Sequence, residues 1–199
     1  MNGNSKQELG VNKNLYLKFL AGVLVFIAGS AAATAENRNY VGVQYGVSSY
    51  SESGVSKDFE PTAIIARFGR DINPNFAIEG RLGMGLDDDT QFVPELCDCG
   101  ADIEFEIDTI LGIYAKGSIN PNEWLSLYGM LGGSRVSVTA GLSGFPSTEE
   151  SDDENSLSYG AGIDIGFSSS AAVNFEYMRY LDKDDFSLDI ASIGLTFRF

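Results

Sequence analysis

Residues 191–199 constrain the fold most tightly. Ala191, Ile193, Leu195, Phe197 and Phe199 alternate there with Ser192, Gly194, Thr196 and Arg198. Side chains that alternate with period two belong to a strand with two chemically different faces. The same rhythm returns in Val173, Phe175 and Tyr177 against Asn174, Glu176 and Met178, and in Tyr159, Ala161, Ile163, Ile165 and Phe167 against Gly160, Gly162, Asp164 and Gly166. It returns again in Ile78, Gly80, Leu82, Met84 and Leu86 against Glu79, Arg81, Gly83 and Gly85. A chain patterned this way throughout is all-β.

Eight strands are expected, near 40–50, 62–71, 76–86, 104–118, 123–138, 157–168, 171–181 and 186–199. Each has about the ten residues that a tilted strand needs to cross a bilayer. Asn73-Pro74-Asn75, Asn120-Pro121-Asn122 and Ser168-Ser169-Ser170 mark tight turns, with Ile-Asn-Pro-Asn occurring at both 72–75 and 119–122. The other connections, at 51–61, 87–103 and 139–156 with a shorter one at 182–185, are mostly long and acidic. Short turns at one end and long loops at the other characterise bacterial membrane barrels. The fold expected is a single eight-stranded antiparallel up-and-down transmembrane β-barrel spanning 36–199.

Lys6, Lys13 and Lys18 precede an apolar run, Phe19–Ala28, and then the small residues Gly29–Ala35. This order reads as a secretory signal peptide over 1–35, cleaved between Ala35 and Glu36 after Ala33-Thr34-Ala35. The run has about half of the ~20 residues a spanning helix needs; an uncleaved anchor is the alternative. Removing it takes away three Lys and one Glu and deepens the net charge from −15 to −17. Intact-mass measurement of envelope-purified protein should therefore place the N-terminus at Glu36, and retention of 19–35 would revive the anchor. With 13 basic residues against 28 acidic ones, nucleic acid is no partner for this chain.

Alternation alone does not say which face points outward, because a secreted lipocalin-like barrel alternates too, with its apolar set inside. The polar set here is mostly Gly, Ser and Thr with few and mixed charges, which suits the cramped lumen of eight strands rather than a water-facing exterior. The apolar face is therefore expected to meet lipid.

On these features Tyr40–Phe199 resembles the OmpA/OmpX-type family of small outer-membrane β-barrels. The resemblance rests on the signal peptide, on glycine-interleaved strands such as Leu127-Tyr-Gly-Met-Leu-Gly-Gly133, and on the ending Leu195-Thr-Phe-Arg-Phe199. It implies a Gram-negative outer membrane, surrounding lipid and lipopolysaccharide, and recognition of Phe197 and Phe199 by the barrel-assembly machinery. It leaves no segment for a peptidoglycan-binding domain. A monomer is expected.

Small outer-membrane barrels that are enzymes resemble one another in using a His, and this chain has none. Imidazole is the usual general base at neutral pH, so no catalytic site and no cofactor are expected. Mixed charges fall at predicted lumen positions: Arg67, Glu79, Arg81, Asp108, Lys116, Asp164, Glu176 and Arg198. With a three-residue first turn, Arg67 lies opposite Glu79. A network of satisfied buried pairs is favoured over an ion pathway. Cys97 and Cys99 are candidates for a strained local disulfide in an oxidising compartment; two Cys without His are too few for a metal site. Asp87, Asp88 and Asp89 are weak metal candidates that match no calcium-loop spacing; Glu149-Glu150, Asp152-Asp153-Glu154 and Asp182 with Asp184-Asp185 form further acidic clusters. Trp124 is placed at the start of a strand in an interfacial belt. A structural or surface-exposed barrel is the leading reading, with a loop-mediated adhesin and a narrow channel as rivals.

Overall fold

From Asn39 onward the alternating, Gly- and aromatic-rich sequence forms strands, and the computed structural model describes residues 39–52, 61–87, 89–93, 101–143, 148–183 and 186–199. The chain divides into 1–35 and 36–199, and all described residues lie in the second unit. Its strands are β1 Asn39–Glu52, β2 Thr62–Asn73, β3 Phe76–Asp87, β4 Asp89–Val93, β5 Ala101–Asn122, β6 Leu125–Ser143, β7 Thr148–Gly166, β8 Ala171–Asp182 and β9 Phe186–Arg198. There is no helix among the described residues.

All pairings are antiparallel. β3 pairs with β5 from Phe76↔Gly117 to Gly83↔Ile110, and β4 pairs with β5 further out, from Asp89↔Phe105 to Val93↔Ala101. β4 thus extends the β3 side of the same ladder. β1 pairs with β9 from Tyr40↔Arg198 to Glu52↔Phe186, which closes eight strands into a barrel and leaves no sheet edge within the barrel wall.

The turns differ in detail from the sequence expectation. The first occupies Pro74–Asn75, two residues rather than three, with a bulge between Asp71 and Asn73. The register sets Arg67 opposite Arg81 and Glu79 opposite Gly69, the pairing that a three-residue turn over 73–75 also gives, so Arg67 and Glu79 are not the direct partners expected. The second turn lies at Glu123–Trp124, because β5 continues through Asn120-Pro121-Asn122 with a bulge between Ile119 and Asn122. Trp124 therefore sits in the turn and not on a strand. In each case an Asn carbonyl accepts the N–H two residues on: Asn73 Oδ1 from Asn75 at 2.9 Å, and Asn122 Oδ1 from Trp124 at 3.2 Å. The repeated motif thus supplies its first Asn to one turn and its last Asn to the other.

A second difference lies at the opposite end. Most of 139–156, expected as a loop, is strand: β6 and β7 pair outward as far as Leu142↔Thr148. Within the described residues β8 joins β7 only over Tyr159–Gly166. β4 and the outer parts of β5, β6 and β7 therefore form an arm beyond the barrel rim. The β7 part of the arm, Thr148–Asn155, measures about 25 Å along the strand.

The faces are arranged as a membrane barrel requires. Ile193 and Leu195 are 49% and 41% exposed on the outside, whereas Arg67 and Glu79 inside are 0% exposed. This overturns the lipocalin-like alternative. Exposed aromatics mark the turn end of the apolar band, Phe76, Trp124 and Phe167, and Tyr159 stands towards the other end. From Tyr159 on β7 to Phe167 just past its end, the distance projects to about 20 Å along the barrel axis, close to the roughly 25 Å of a bacterial outer-membrane band.

Candidate functional site

The lumen has three layers. At the loop end it is filled by apolar side chains, among them Ile65, Ile107, Ile110, Val136, Leu188 and Ile190. In the middle lies a polar network, and at the turn end a polar vestibule of about 360 Å³. The apolar layer departs from the expectation of a polar lumen throughout: near the rim both strand faces carry apolar residues, so parity alone did not separate them.

Six of the charges singled out in the sequence meet inside. Arg67 holds Glu79 through two bonds, Nε to Oε1 at 3.0 Å and Nη2 to Oε2 at 2.9 Å. Although the register places them diagonally, the long guanidinium side chain spans the offset. Arg81 bridges two carboxylates, with Nε 2.8 Å from Glu79 Oε1 and its Nη atoms 2.6 and 2.7 Å from Glu176. Lys116 Nζ stands 3.0 Å from Asp164 Oδ2. Three cations thus balance three anions, which is what a water-poor interior demands.

The other two do not join. Asp108 falls at a bulge between Ile107 and Thr109, which turns it away from the inward row; it accepts from Thr139 Oγ1 at 2.8 Å. Arg198 faces inward at the turn-end mouth, 3.8 Å from Asp71. Cys97, Cys99, Asp88, Ala35 and Glu36 lie outside the described residues, and only the backbone of Asp89 is described. Asp87 is exposed at the end of β3, where Thr62 Oγ1 donates to it at 3.2 Å. Phe197 and Phe199 are half-buried at the end of the closing β1–β9 ladder.

Sequence reasoning missed the tyrosines. Tyr40 Oη donates to Glu79 Oε2 at 2.6 Å and Tyr128 Oη to Glu176 Oε2 at 2.7 Å; Tyr180 Oη lies 2.8 Å from Arg81 Nη1. Lys116 Nζ lies 3.8 Å from the centre of the Tyr128 ring, a cation–π contact. Tyr114 shares a hydroxyl chain with Ser134 and Ser158. Parity carried the signal: Tyr40 shares its face with Gly42 and Gln44, and Tyr128 with Met130 and Gly132. Glycines make the room. A Cβ at Gly69 would overlap the Tyr40 ring, and one at Gly162 would lie 2.5 Å from Tyr128 Cζ.

The arm is the other candidate. Its outer β7 segment carries Glu149, Glu150, Asp152, Asp153 and Glu154. Arg135 Nη2 holds Asp153 at 2.6 Å and Ser137 Oγ donates to the same carboxylate. These bonds, that from Ser137 foremost, hold the Asp153 carboxyl below the usual range, so it stays charged in mild acid. Among the described residues no group of three or more Asp, Glu, Cys or His converges as a metal site.

A closed antiparallel barrel with an apolar belt, aromatic borders and a charged, packed lumen defines an outer-membrane barrel. The family model of the outer membrane protein beta-barrel domain matches residues 19–199, and the chain belongs to that family. Its place is the bacterial outer membrane. Ail, the attachment invasion locus protein of Yersinia pestis, is similar at 23% identity and TM-score 0.60 over 83% of this chain and 100% of that one. Neisserial surface protein A is similar at 15% identity and TM-score 0.55, over 81% and 97% of the two chains. OprG of Pseudomonas aeruginosa gives 15% and 0.54, over 82% and 97%. At such identities the likeness is one of fold. No curated protein sequence matches the chain.

Proposed function

We propose that this is a surface-exposed binding barrel, exported by its signal peptide, whose function resides on the outward arm and not in the lumen. The arm carries this reading. Strands extended past the membrane serve no spanning purpose, and among the described residues β7 pairs there with β6 on one side only. Such an edge can accept an added strand.

The lumen argues against the rivals. An apolar layer and a charge-balanced network stand in series across it, which speaks against a channel. The lack of His and the satisfied partners of Glu79 and Glu176 speak against general acid–base work.

One structure of Ail contains the heparin analogue sucrose octasulfate. The acidic β7 segment here favours the opposite charge class, a cationic partner surface. Full-length protein in nanodiscs should bind a polylysine-coated sensor far better than a heparin-coated one, with affinity falling as salt rises. Deleting 137–153 and joining the register partners Val136 and Glu154 with a two-residue turn removes four of the five carboxylates, and should abolish that binding while leaving heat-modifiable gel migration intact. Equal binding by the shortened protein would sink the proposal.

A further inference from the structure

The hydrogen bonds of the middle layer fix the orientation of two amides. Asp164 can only accept, so the amide nitrogen of Asn174 faces it, Nδ2 to Oδ1 at 2.7 Å. Asn174 Oδ1 is then left to accept from Gln44 Nε2 at 2.5 Å. Gln44 Oε1 is the end that points elsewhere, and it has no partner. Two other buried side-chain atoms among the described residues share that condition, Arg67 Nη1 and Thr196 Oγ1.

The three residues are neighbours on one patch of wall. Gly42 on β1 is the register partner of both Arg67 on β2 and Thr196 on β9, and Gln44 is the next inward residue along β1. A Cβ on Gly42 would stand 3.3 Å from Thr196 Oγ1 and 3.7 Å from Arg67 Cβ. The Gln44 side chain lies across Gly194, with Cγ 2.7 Å from where a Cβ would be. Two glycines thus leave the wall bare among three neighbouring residues that each carry an unpartnered buried polar atom, and buried polar groups normally find partners.

We infer that Arg67 Nη1, Gln44 Oε1 and Thr196 Oγ1 form an internal water-binding site at the inner end of the turn-side vestibule, so that the lumen is hydrated from one side only. The chemistry is complementary. The Arg67 N–H donates to the water, the water donates to Gln44 Oε1, and the Thr196 hydroxyl takes either part, giving the usual three bonds of a buried water. The path is short. Arg198 lines the vestibule two residues from Thr196, and Ala172, which pairs with Thr196, lines it too. A small ion fits less well, because Arg67 is already matched by Glu79 and the network is balanced. Outward of the network the apolar layer stops the water.

The test is a crystal structure of the refolded full chain at a resolution that shows ordered water, with nanodisc NMR beside it. One water within hydrogen-bond distance of all three atoms is expected, together with water cross-peaks to the Arg67 guanidinium protons. Thr196→Val keeps the side-chain shape and should cut those cross-peaks several-fold. The inference is overturned by a dry site, by direct bonding among the three atoms, or by water running equally through the Ile65–Ile190 layer. If the variant does not fold, the unsubstituted protein decides alone.

Discussion

Replacing Glu79 with Gln should lower the unfolding free energy in lipid vesicles by about 3–5 kcal/mol, the usual penalty for removing one partner of a buried ion network. Glu79 is fully buried and accepts from Arg67, Arg81 and Tyr40. Its loss strands the Arg67 guanidinium outright, since that group makes both of its charged bonds to this carboxylate. Arg81 suffers less because Glu176 still holds it. Adding Arg67→Met to Glu79→Gln removes the stranded charge and should restore part of the loss. Urea titration of both variants measures the difference. A change within error for Glu79→Gln would mean that water screens the pair, and a wetter, channel-like lumen would then be the better reading.

On the outer face, Ile193→Arg should cost roughly 2–4 kcal/mol if it lies near the bilayer midplane. Ile193 is half exposed, and its register neighbours on either side are Tyr45 of β1 and Phe175 of β8. All three look outward, so the guanidinium would enter hydrocarbon with no partner. The same substitution at Asn155, exposed on the arm, should stay within about 0.5 kcal/mol. Equal costs at the two positions in vesicles would place both in water and remove the lipid belt.

These two expectations rest on what was legible in the sequence and on what was not. Strand parity was legible because a membrane barrel sorts its side chains by a single rule, and Ile193 beside Gly194 obeys it. Glu79 and Arg81 could be placed inside for the same reason. The arm was hidden because Thr148–Asn155 carries polar residues at both parities, so period two disappears from the sequence. Tyrosine misled in another way. Tyr45 and Tyr40 have the same side chain, but one puts it against lipid and the other uses its hydroxyl inside. Only parity with Gly42 and Gln44 separates them. Asp108 was misplaced by a bulge, which shifts the inward row by one residue and leaves no clear mark in the sequence.

The membrane placement itself is open to a direct measurement, because Trp124 is the only tryptophan of the chain. It is exposed in the second turn, at the level of Phe76 and Phe167 where the apolar band ends. Its fluorescence should be recorded with the protein in vesicles of brominated lipids, varying the depth of the bromine. A blue-shifted emission is predicted, quenched more by bromines near the headgroup than by those near the chain ends, as for a ring in an interfacial girdle. Emission like that of tryptophan in water, unchanged at every bromine depth, would contradict a lipid-embedded barrel.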